Sequence, residues 1–231
     1  MAGATEHTLA VPGGGSVHEP AIWDDRVVFL RRNAKGGSED PSHPGRKPDS
    51  LFAWRIGSRK LQSLELPASS GARHWPKGLT GVIAGLTFNG KQLAYTTSNV
   101  AGTFGETSLW FERLGHRPEL IDQETSGAGN VCRPAFLSPV LAGGWLYAYL
   151  HACDPSADPS FDRFTRYRCG KVERAKFAFI KAGDDPISSV VPDGGGVDWD
   201  NGAVHRLATL AWRKITPPVA QTFCSRADPF C

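Results

Sequence analysis

Two short polar stretches hold most of the side chains in this chain that could do chemistry. His43, Arg46 and Lys47 fall in the first, and Arg73, His74, Trp75 and Lys77 in the second. Guanidinium and ammonium groups beside an indole suit an anion, or stacking on a sugar or a base. Such residues are also commonly no more than a solvated loop with one anchoring aromatic. The carboxylates offer a second possibility. Asp184-Asp185 and Asp198/Asp200 are paired, and Asp24 occupies a place comparable to Asp200. Glycosidase chemistry needs two carboxyls roughly 5–9 Å apart across a cleft. Turn capping by aspartate explains Asp24-Asp25 and Asp200-Asn201-Gly202 equally well. There is no Gly-x-Ser-x-Gly elbow, no His-Glu-x-x-His and no phosphate-binding glycine loop. Gly194-Gly195-Gly196 beside Pro192-Asp193 reads as a turn. The residues therefore lead us to expect no catalytic set and no cofactor.

Five cysteines stand at 132, 153, 169, 224 and 231. Cys153 and Cys169 close and open consecutive expected strands, so a Cys153–Cys169 disulfide would sit at the base of a hairpin. A Cys224–Cys231 bond would close a small tail loop, leaving Cys132 over. Reduced, buried thiols are the alternative. No Cys-x-x-Cys or paired-histidine spacing suggests zinc, and no metal is expected.

The elements that must position these groups are short strands. In GVIAGLTFNGKQLAYTTSNVAGTFGETSLWFERLGHRPELID (81–122) the turn signals Asn89-Gly90 and Gly115-His116-Arg117-Pro118 separate apolar strands. Asn-Gly is the strongest short hairpin signal, because a type I′ turn needs positive φ at both central residues. The stretch predicts a four-stranded antiparallel meander. The pattern recurs: AIWDDRVVFL, LTFNGKQLAY, VLAGGWLYAY and VDWDNGAVHRLA align, with turns beginning at Asp24, Asn89, Gly143 and Asn201. A meander repeated every roughly 60 residues predicts an all-β propeller, its blade-like units longer than usual because of their loops. The echo of Val17-His18-Glu19-Pro20-Ala21-Ile22 in Val131-Cys132-Arg133-Pro134-Ala135-Phe136 supports that register. A β-sandwich is the competing architecture. The expected organisation is a flexible lead-in at 1–16, blades near 17–67, 80–122, 131–179 and 187–216, and an irregular tail at 217–231.

Phase assigns a working face. The first and third connections of each unit are short. The second connections (Asn33 to Ser50, Asn99 to Thr107, Cys153 to Arg163) and the links between units are long. In an up-down meander alternate connections emerge on one side, so the long loops share a face, which is where binding residues concentrate.

Composition excludes some classes. A net charge of +3 in 231 residues is too small to argue for nucleic acid or an anionic membrane. No run approaches the roughly 18 apolar residues of a membrane span. The stretch MAGATEHTLAVPGGGS lacks a basic region and a continuous apolar core, so no signal peptide is expected.

The strand-turn pattern resembles TolB-like propeller repeats, which also form the propeller domains of prolyl-oligopeptidase-type peptidases. The resemblance rests on Asn89-Gly90 or Gly143-Gly144, then "LAY" or "LYAY", then "SLWFERLG" or "LFAWRIGS". It covers Val17 to Phe179 and continues more weakly to Ile215. It departs from the family in lacking Asp-Gly in the first hairpins, and in showing about four units where such propellers usually carry about six or more blades. A four-bladed ring, part of a longer chain and a larger ring are all open. The resemblance implies a fold and not a reaction. The expected function is a non-catalytic scaffold binding a protein or glycan through Arg46, Lys47, Arg73, His74, Trp75 and Lys77. The alternative is a propeller glycosidase or the propeller of a peptidase. Cysteines and resemblance together suggest an extracellular or periplasmic setting.

Overall fold

The structure, a computed structural model, describes residues 7–12, 15–32, 50–66, 82–101, 104–126, 135–137, 139–151, 161–168, 171–181, 189–193, 196–200, 204–206 and 213–214. These residues are all-β, with no helix among them. The first sheet holds β1 (Ser16–Trp23), β2 (Arg26–Arg32), β3 (Ser50–Arg55) and β4 (Leu61–Leu64) in sequential antiparallel order. The second repeats that order with β5 (Val82–Phe88), β6 (Gln92–Ala101), β7 (Phe104–Arg113) and β8 (Glu119–Ser126). The four-stranded meander expected of these two units is present in both.

The third sheet begins with an interrupted strand. β9 (Ala135–Phe136) and β10 (Val140–Ala142) pair opposite ends of β11 (Trp145–His151). β12 (Phe161–Arg168) and β13 (Lys171–Lys181) follow, and β17 (Arg213–Lys214) adds to the far edge of β13. The fourth sheet is β14 (Ser189–Asp193), β15 (Gly196–Asp200) and β16 (Val204–Arg206). First strands stand in series: β1 lies against β5, β5 against β10, and β10 against β14.

Several local expectations change. The stretch Asn99 to Thr107, read as a long loop, is largely a hairpin arm, paired from Asn99↔Glu106 out to Ala101↔Phe104. Val100, Phe104 and Thr107 favour the extended backbone over a loop. At Asn89-Gly90 only Gly90 takes positive φ, +85°. The Asn89 side chain closes the turn instead, its Oδ1 accepting from the Gln92 amide at 2.9 Å. Gly143 and Gly144 do both take positive φ, 57° and 75°, with Ala142 opposite Trp145, as a two-residue type I′ hairpin requires. In the fourth unit the hairpin around 201–203 is present, but it is the second one, because β14 precedes and pairs with β15.

Alternation along the second sheet supplies two apolar layers. Leu93, Tyr95 and Trp110 pack against Val28, Leu30, Leu51 and Leu64 of the first sheet. Ala94, Leu109 and Phe111 pack against Leu141, Leu146, Ala148, Leu150 and Tyr167 of the third. A period of two places neighbouring residues on opposite faces, so the central sheet must be apolar on both. Each fully buried leucine contributes about 1.5–3 kcal/mol. The small Ala94 and Ala148 let the second and third sheets approach.

Candidate functional site

His43, Arg46, Lys47, Arg73, His74, Trp75 and Lys77 lie outside the described residues, as do all five cysteines and Asp184-Asp185. The structure does place the strands that flank the two basic segments. β2 ends at Arg32 and β3 begins at Ser50, with Arg31 opposite Ser50. Arg31 Nη2 donates to Ser50 Oγ at 2.9 Å, its Nη1 donates to the Pro12 carbonyl, and its guanidinium lies 5.4 Å from the Phe52 ring centre. Arg31 thus ties the end of β2 to the start of β3. Arg32 Nη2 reaches the Ile83 carbonyl at 3.5 Å, a long contact. Ile83 sits in β5, just after segment 67–81, and is fully buried. The end of β2 and the start of β5 therefore meet at the junction of the first two sheets. Arg31 and Arg32 carried no signal in the sequence beyond their place at the end of an apolar strand.

The same junction carries unusual polar groups. Glu112 pairs with Leu93 across β6 and β7, so it shares the buried face of Tyr95 and Trp110. The residue is 2% exposed, and among the described residues its Oε2 has no hydrogen-bond partner. The Tyr95 hydroxyl, fully buried beneath the same face, has none either. Burial pushes the Glu112 carboxyl up to about 7, and the nearby charge of Glu65 pushes in the same direction. Burial, then Glu112, then Glu65 raise the Tyr95 phenol well above its usual range. Glu65 is largely exposed and lies 3.9 Å from Arg117. Period-two alternation through Trp110 already puts Glu112 on an inward face, so this buried acid was legible in the sequence and was missed.

At the junction of the second and third sheets the tyrosine is paired, while the buried Thr96 Oγ1 and Thr165 Oγ1 have no hydrogen-bond partner among the described residues. The Tyr167 hydroxyl donates to Asp122 Oδ2 at 2.5 Å, and the Phe136 amide donates to Thr107 Oγ1 at 3.2 Å.

Of the aspartates weighed for catalysis, Asp24, Asp25, Asp198 and Asp200 lie among the described residues. Asp24 holds φ of 53° in the β1–β2 turn, and Asp25 accepts from Arg55 Nε at 2.5 Å. Asp198 and Asp200 stand two apart on β15, opposite Val191 and Ser189 of β14. A scan of protein-family models finds no match to this chain, and neither does a comparison with curated proteins.

Proposed function

We propose that this chain is a TolB-like β-propeller scaffold without catalytic activity, binding a protein or glycan through its long-loop face. One observation carries the reading. Arg32 links the base of segment 33–49 to the strand that follows segment 67–81. Arg46 and Lys47 belong to the segment that follows β2, and Arg73, His74, Trp75 and Lys77 to the segment that precedes β5, the two strands joined by this contact. Binding groups on loops anchored in a rigid scaffold follow the usual division of labour between loop and sheet. Basic forks beside an indole suit a carboxylate-bearing partner surface or a sugar face. The raised carboxyl of Glu112 does not favour the hydrolase alternative, since it lies in packing on a third strand, away from the first strands.

The test is a glycan array and a displayed peptide library, both probed with three proteins. These are the wild type, a variant with Arg46, Lys47, Arg73, His74, Trp75 and Lys77 replaced by alanine, and Arg59→Ala in a short turn. Binding at least tenfold weaker in the loop variant alone supports the scaffold. A wild-type ligand bound equally by the loop variant contradicts it.

A further inference from the structure

We infer that Arg168, together with Arg166 and the Trp145 ring that holds them, forms an oxyanion site at the short-turn end of the third sheet. This site lies outside the basic segments discussed above. On β11, Leu146, Ala148 and Leu150 face the second sheet, so alternation sends Trp145 and Tyr147 to the other face. On β12, Arg168 stands opposite Trp145 and Arg166 opposite Tyr147. Both guanidiniums lean onto the same indole, 4.9 Å from its centre for Arg166 and 5.2 Å for Arg168. Stacking on an aromatic uses the flat face of a guanidinium and leaves its in-plane N–H donors pointing outward.

Arg168 is held from a second side as well. A β-carbon placed on Gly144 would stand 3.5 Å from its Nη1 and 3.7 Å from its Cζ, so the guanidinium lies over the open side of that glycine. The Gly143-Gly144 turn and the ring of Trp145 together fix an exposed side chain that would otherwise sample many rotamers. Among the described residues Arg168 has no hydrogen-bond or ion-pair partner. An exposed arginine that is ordered in advance, with its donors open and a second cation on the same ring, meets the needs of oxyanion recognition. The ordering cost is already met, and the open fork of Arg168 matches the two oxygens of an oxyanion. The shared chemistry is a phosphate or a carboxylate presented by a ligand.

Inorganic phosphate and acetate are titrated separately into the full chain at constant ionic strength. The arginine side-chain Nε–Hε signals are followed by NMR, with sodium chloride as the screening control. The expected result is a saturable shift of the Arg168 and Arg166 signals with at least one of the two anions. Saturation by phosphate alone assigns a phosphate-bearing ligand, and saturation by acetate as well extends the site to carboxylates. The midpoint weakens at least tenfold in Arg168→Gln and about threefold in Arg168→Lys, which keeps the charge but loses the fork. Amide dispersion reports that both variants remain folded. Shifts that stay linear and match the chloride control, or a midpoint unchanged in Arg168→Gln, overturn the proposal.

Discussion

The two junctions of the second sheet use the same pair of side-chain types and treat them oppositely. Between the second and third sheets a tyrosine hydroxyl meets an aspartate, Tyr167 to Asp122 at 2.5 Å. Between the first and second sheets Tyr95 and Glu112 are both buried, and the phenol oxygen and Glu112 Oε2 have no partner. The apolar layers around them are alike, so the polar groups set the junctions apart. A satisfied buried pair contributes modestly, whereas an unsatisfied buried group costs about 1–3 kcal/mol, more when charged. Both junctions bury unpartnered groups, at the second the hydroxyls of Thr96 and Thr165, but the first alone buries an unpartnered tyrosine–carboxyl pair, the costlier kind. The first is also where the end of β2 meets the start of β5, through Arg32 and Ile83.

The largest effect is expected where the first junction is tightest. A β-carbon on Gly90 would lie 2.6 Å from Trp23 Cδ1, and the residue holds φ of +85°. Arg26 also donates to its carbonyl at 3.2 Å. Gly90→Val combines a left-handed backbone penalty with overpacking and should cost about 3–4 kcal/mol in chemical denaturation. A loss below about 1 kcal/mol would mean that Trp23 moves freely and the two sheets are not locked there.

Next in size is a pH dependence confined to the first junction. The folded Glu112 carboxyl titrates at about 7, above its ordinary 4.5. Between those values the folded chain holds a proton that the unfolded chain has released. Its contribution to stability is therefore largest below pH 4.5, falls as pH rises, and levels off above pH 7. The slope approaches about 1.4 kcal/mol per pH unit and the total about 3 kcal/mol. Glu112→Gln should flatten this part of the stability–pH curve, and Glu112→Leu should raise stability at pH 8 by about 2 kcal/mol. Parallel curves for wild type and Glu112→Gln would remove the buried acid from the comparison.

The tyrosines sharpen the contrast. Tyr167→Phe removes the donor to Asp122 and should cost about 2 kcal/mol. Tyr95→Phe removes an unpartnered buried hydroxyl and should raise stability by about 1 kcal/mol. Equal losses from the two substitutions would show that the Tyr95 hydroxyl has a partner in solution.

Much of the fold was legible because alternation and turn chemistry are local. The strands around Val28, Phe52, Leu93, Trp110 and Tyr147 follow from period-two patterning, and the Gly143-Gly144 turn from the need for positive φ. The hairpin arm Asn99 to Thr107 was misread because polar, glycine-containing sequence can pair as well as loop. The place of Arg213–Lys214 beside β13 is a long-range choice that no local pattern encodes. Of the site, Glu112 was legible from its phase with Trp110. The convergence of Arg32 on Ile83 was not, since it depends on how two sheets stack rather than on either sequence.

The difference between the junctions is read most directly by the carboxyl carbon shift of Glu112, followed by NMR in the folded protein from pH 4 to 9. A midpoint near 7, with the Glu65 signal titrating separately, is the predicted result. A Glu112 midpoint near 4.5 would contradict it, placing that carboxylate in water and making the first junction no different from the second.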